Sequence, residues 1–224
     1  MVEWDRNLDT LIQLSLVVAF TFVLIIKRKN LGDEIFYFIV AMVIIAVNNA
    51  LALTSRFFFP RFNTIPFYVF GVTLGAFLFF FLYLRKLLVS AQARMISLVL
   101  TISFIVLFIC FAIFRENFFQ KFPFRFYFIE LFILVINIFL VLRETFNSDK
   151  VLNIKSYYPI WICTGLMIVY LAVAPLLIIS NLRHEVAINN IFFIILFIVN
   201  MLGYSLMLVG VFFAKSCSRN REFF

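Results

Sequence analysis

Apolar residues come in seven long runs broken by short polar interruptions: Asp9–Ile26, Ile35–Thr54, Ile65–Leu84, Met95–Phe114, Phe126–Leu142, Tyr158–Ser180 and Ile188–Ala214. A helix rising 1.5 Å per residue needs about 20 residues to cross a hydrocarbon core of about 30 Å. Each run meets or nearly meets that length, so the pattern predicts an all-α integral membrane protein, a bundle of seven transmembrane helices. The connections are short, about 8 to 15 residues, and none is rich in Pro, Ser or Gly. Residues 1–224 therefore read as a single membrane domain.

Composition strengthens this reading. Hydrophobic residues make up 65% of the chain and charged ones 13%, with a mean hydropathy of +1.12, too apolar for an ordinary water-soluble domain. The 34 phenylalanines reflect compositional bias as readily as packing and carry no function by themselves.

The formal net charge is +8. The bases flank the apolar runs instead of forming one patch, which argues for membrane orientation and against nucleic acid. Of the 19 Lys and Arg residues, twelve fall at one end of the alternating runs: Lys27, Arg28, Lys29, Arg85, Lys86, Arg94, Arg143, Lys150, Lys155, Lys215, Arg219 and Arg221. The other seven, Arg6, Arg56, Arg61, Arg115, Lys121, Arg125 and Arg183, fall at the opposite end. Because cytoplasmic loops carry the excess, the N-terminus is expected outside and the C-terminus in the cytoplasm, in a multi-pass protein of the cell inner membrane. The leader MVEWDRNLD is acidic and no small-x-small cleavage site follows, so the first run is expected to stay as a helix.

Polar residues inside the runs are the candidates for function. The stretch FYFIELFILVINIFLVLRE, Phe126 to Glu144, holds an acid, Glu130, in a segment otherwise apolar enough for lipid. Ionised carboxylates at that depth are costly and usually face a bundle interior, a partner or water. Asn137 lies two helical turns on, so both share one face with Ile133 and Leu134. Two readings of Glu130 stand side by side: a boundary residue reaching water or held by Arg125, or the charged contact of a ligand or a protonatable switch.

Asn48 and Asn49, about 100° apart on one helix, and Asn200 with Tyr204 on the last, read either as interhelical hydrogen-bond glue or as ligand contacts. With Gln13, Tyr68, Thr73 and Tyr170 they fall from the outer third to mid-membrane in the N-out orientation, which predicts an outward-opening polar pocket. The candidate ligand-binding set is Glu130, Asn137, Asn48, Asn49, Tyr170, Asn200 and Tyr204. Gly71 and Gly75 form a GxxxG, and Gly203 and Gly210 stand two turns apart, both permitting close helix approach. Pro175 should bend the sixth helix. Trp4, Phe57 to Phe59, Tyr68, Phe118, Phe119, Tyr157, Tyr158 and Trp161 are expected to anchor at the membrane interfaces.

Several chemistries find no residues to carry them. His184, the only histidine, stands in the loop NLRHEV without partners at metal spacing, and Cys110, Cys163 and Cys217 form no CxxC pair or disulfide framework. There is no HExxH, phosphate loop or GxSxG, and no lysine in the last run for a retinal Schiff base. No catalytic residue, metal or cofactor is called for, and the chain reads as a non-enzyme.

ETFNSDKVLNIKSYYPIWICTGLMIVYLAVAPLLIISN and NNIFFIILFIVNMLGYSLMLVGVFFAKS complete the picture. Through Ser148, Asp149, Leu152, Asn153, Lys155, Trp161, Gly165, Tyr170, Pro175, Asn181 and Asn200, the region from Phe126 to Lys215 resembles a group of small uncharacterised seven-helix membrane proteins of Bacteroidetes. The group's aromatic ahead of the tryptophan is Ile160 here. The resemblance implies a sensing partner, since such proteins often lie beside sensor histidine kinase genes.

The function expected is a non-enzymatic membrane sensor or accessory subunit that binds a small or lipophilic ligand in an outward-facing pocket. It would signal to a cytoplasmic or membrane partner such as a histidine kinase. A small channel or transporter, or a membrane effector of a defence system, is the alternative; a lipid-modifying enzyme fits least. The sequence leaves oligomeric state open.

Overall fold

The computed structural model describes residues 6–59, 62–175, 178 and 190–214. Described residues outside the helices are connectors, and seven helices are long and apolar enough to cross a membrane. They are α1 (Arg6–Leu31), α2 (Ile35–Phe58), α3 (Ile65–Leu87), α4 (Ala91–Phe114), α5 (Phe124–Phe146), α6 (Tyr158–Pro175, regular as far as Leu171) and α7 (Asn190–Phe213). A 3₁₀ turn, Asp149–Ser156, joins α5 to α6. Gly32, with φ of 97°, ends α1 in the left-handed conformation that a side chain disfavours, so α2 can begin three residues later.

Neighbouring helices run in the order α1–α2–α3–α5–α6–α7 and back to α1, with α4 laid against α3 and α5. α5 is the inner helix, 56% buried over its span, while α4 is 22% buried and presents most of its surface outward. Fully buried rings fill the space between helices: Phe38 against Phe80 at 5.6 Å, Phe81 against Phe104 at 5.1 Å, and Phe104 against Phe126 at 5.6 Å. Phe77, Phe80, Phe81 and Leu84 supply α3's buried stripe, the spacing of one helical face.

Two features of the backbone matter for the site. In α3 the segment Val69–Ala76 is π-helical, wound between α-helical ends; such insertions are rare and concentrate at functional positions. In α6 regular helix ends at Leu171, four residues before Pro175. Proline cannot donate to the carbonyl four residues back and its ring crowds it, so the break falls where the bend is expected.

The interface aromatics divide. Phe57, Phe58 and Phe59 are exposed at the end of α2. Phe118 is not an anchor: it is buried and packs edge-on against Phe108 at 5.4 Å and Phe126 at 5.7 Å. Tyr158 is likewise buried. Enough apolar surface surrounds these two rings for burial to outweigh an interfacial position. Trp4 lies outside the described residues.

Candidate functional site

Glu130 stands six residues after the start of α5, about 9 Å along its axis. It shares the buried face with Ile133, Leu134 and Asn137, so the helical spacing places all four inward. The carboxyl is fully enclosed, 0% exposed, and neither oxygen has a hydrogen-bond partner among the described residues. Water at the boundary and Arg125 were the two ways of satisfying it locally. Neither operates: the oxygens reach no surface, and Arg125 is exposed on another face of α5.

Three phenols from three helices lie within electrostatic reach of this carboxyl: Tyr68 of α3, Tyr127 of α5 and Tyr170 of α6. Tyr204 of α7 is within the same reach of all three tyrosines. Their rings are held by packing. Tyr170 meets Phe77 at 5.0 Å and Phe80 at 6.0 Å, and Tyr204 meets Phe20 at 6.4 Å. Phe122, in the α4–α5 connection, touches both Tyr68 at 5.6 Å and Tyr127 at 5.8 Å. It thereby packs the connection onto two of the three phenols. Tyr68 is the last α-helical residue before the π segment of α3, so the wider turns begin where the cage does.

At Glu130 itself the structure is closed, because both carboxyl oxygens are enclosed. The larger described cleft lies at the opposite end, a groove of about 500 Å³ between the α3–α4 connection and the end of α5, bordered by Ser90, Arg143, Glu144 and Tyr157.

The asparagines go to other work. Asn137 accepts from Ser97 Oγ of α4 at 2.5 Å and donates to Ile133 O at 2.9 Å. Asn48 donates to Ile44 O at 2.9 Å and lies flat against Gly71, where any Cβ would overlap its amide. This explains the first glycine of the GxxxG. Asn49 is half-buried, and no described residue hydrogen-bonds its side chain. Asn200 donates to Gln13 Oε1 at 3.5 Å, and Gln13 donates to Asp9 Oδ1 at 3.0 Å, a polar chain between α7 and α1. Thus Glu130, Tyr170 and Tyr204 are brought to one place, while Asn48, Asn137 and Asn200 join helices.

Sequence reasoning missed Tyr127, Ser97 and Asp9. Tyr127 sits one turn before Glu130 on the same face and was findable from that spacing. Asp9 looked like the edge of a solvated leader, yet it is 8% exposed; its signal is Gln13 one turn later. Ser97 offered no signal, since its partner is 40 residues away. Asn181 and His184 lie outside the described residues.

Among the described residues no group of three His, Cys, Asp or Glu side chains is placed to hold a metal ion. Chemically, the cage offers one carboxyl, four phenols and apolar walls. No protein family, curated protein or solved structure matches this chain.

Proposed function

We propose that this protein is a non-enzymatic membrane sensor or accessory subunit whose ligand is received at Glu130. The observation that carries the reading is the fully enclosed carboxyl without a hydrogen-bond donor among the described residues. An unpartnered carboxylate at such a place is several kcal/mol unfavourable by general desolvation arguments. A bound species that brings a positive charge or a hydrogen-bond donor, and an apolar body to match the walls, offsets that cost. A small lipophilic amine has both. Entry would displace Phe122, which packs on Tyr68 and Tyr127, and the π segment beginning at Val69 is a rare winding of the kind found at functional positions.

A ligand shifts a bundle only through unequal affinity for its two states, and a site closed in one state and open in another meets that condition. The resemblance to proteins encoded beside sensor histidine kinases makes such a kinase the partner to look for. The excess of Lys and Arg at the end holding Arg85 and Arg143 supports an orientation with that end cytoplasmic, in the cell inner membrane.

The test uses the full chain in nanodiscs. Long-chain primary amines are set against the matching alcohols and carboxylates, and the shift in unfolding temperature is read. Amines are expected to stabilise most and carboxylates least, with the amine preference lost in Glu130→Gln. Equal shifts from the carboxylates, or a preference that survives in the variant, would sink the reading. The channel or transporter alternative draws on the Asp9–Gln13–Asn200 chain between α1 and α7; ion flux into protein-loaded liposomes would favour it.

A further inference from the structure

At the end of the bundle opposite the Glu130 cage, α3 finishes on Arg85 and Lys86, and α4 carries Arg94 in its first turn. With Leu82 these three bases line a concave site of about 210 Å³. Positive charge is favourable at the C-terminus of α3 but unfavourable at the N-terminus of α4, where the helix dipole is itself positive. Local helix stability therefore does not account for Arg94. It is nonetheless held: its Nε donates to Leu88 O at 2.6 Å, fixing the guanidinium over the connection.

Among the described residues none of the three bases has a carboxylate partner. The acid nearest along the connection is already engaged. Glu144 of α5 accepts from Val89 N at 2.7 Å through one oxygen and from Ser90 N at 3.1 Å through the other. Three cations lining one cleft, with no described carboxylate in ion-pair contact, make a receptor for a multiply oxygenated anion, and a fixed guanidinium suits a phosphate.

The location selects the kind of phosphate. The cleft lies where two membrane-crossing helices end, at headgroup depth. From it α4 runs outward-facing and apolar, with Met95, Val99 and Ile102 exposed in a stripe one turn apart. Leu82 provides an apolar wall inside the site. We propose that this cleft binds the phosphate of an anionic phospholipid, with its acyl chains along the outer face of α4.

Native mass spectrometry of the full chain in detergent tests this, with phosphatidylglycerol and phosphatidylcholine titrated in parallel. Phosphatidylglycerol is expected to bind more tightly. Arg85→Gln and Lys86→Gln, whose side chains make no described hydrogen bond, should each weaken it about fivefold, and adding Arg94→Gln should weaken it further. Lys27→Gln with Lys29→Gln, at the end of α1, should leave it unchanged. Equal binding of the two lipids, or equal loss in the Lys27/Lys29 control, overturns the site. Displacement of the lipid by millimolar inorganic phosphate overturns the lipid assignment in favour of a soluble anion.

Discussion

Ser97 of α4 donates its hydroxyl to Asn137 Oδ1 of α5 at 2.5 Å, with both side chains wholly buried. The same Asn137 gives its amide to Ile133 O, so one side chain ties the outer helix to the inner one and to its own backbone. Ser97→Ala leaves the Asn137 oxygen without its donor. Bonds of this kind in membrane proteins are worth about 0.6 to 1.7 kcal/mol, and a loss in that range is expected from reversible unfolding in detergent. A loss no greater than that of Ser103→Ala, on an exposed face of the same helix, would show that the bond carries no stability.

Glycine positions should separate by what a methyl group meets. At Gly165 and Gly203 the α6 and α7 backbones press together: a Cβ on Gly165 would stand 3.0 Å from Gly203 O, and one on Gly203 would stand 3.1 Å from Gly165 O. Neither carbonyl can move without its helix, so alanine at either site should cost about 1 to 3 kcal/mol. At Gly75 the nearest atoms are 3.4 Å away, ordinary contact, and alanine there should be near neutral. Thermal unfolding of the three variants checks the order, and a Gly75→Ala that is as damaging as Gly203→Ala would contradict it.

Gly71 offers a sharper check because its obstacle is a side chain. Gly71→Ala collides with the Asn48 amide, whereas Asn48→Ala opens the space. The double variant should regain most of the stability that Gly71→Ala loses, a non-additive result expected only of residues in direct contact. Strict additivity in the cycle would mean that the two helices do not meet there.

Glu130 should be dispensable for folding. No described residue donates to it, so replacing the carboxyl by an apolar group of similar shape removes a desolvation cost and no bond. Glu130→Met is expected to unfold at a temperature equal to or above that of the parent chain. A clear drop would reveal a donor that engages the carboxyl in solution.

Glu144 should matter more than its surface position suggests. It accepts from two consecutive backbone amides of the α3–α4 connection, and hydrogen bonds to a charged acceptor contribute about 1.5 to 3 kcal/mol each. Glu144→Ala is expected to speed hydrogen exchange at Val89 and Ser90 by tenfold or more. Unchanged protection of those two amides would remove Glu144 as the clasp of this connection.

Much of this was readable from residue order. The existence of seven spans follows from run length alone, because a bilayer imposes one dimension on every crossing segment. The inward face of α5 followed from Glu130 and Asn137 standing two turns apart, since polar groups avoid lipid. The break before Pro175 followed from covalent geometry.

Other features were decided only by assembly. α4 has the highest mean hydropathy of any span, 2.9, yet is the least buried, and α5, at 2.2, is the most buried. Hydrophobicity separates inside from outside only when the outside is water; with lipid on one side and protein on the other, an apolar face suits both. For the same reason Phe118 and Phe57 look alike along the chain and end up in the core and on the surface. The sequence determined how many helices cross and where they start. Which faces meet, that Asn137 found Ser97, that Asn48 settled on Gly71 and that Glu130 was enclosed among tyrosines without a donor were matters of tertiary packing, because each depends on residues dozens of positions apart.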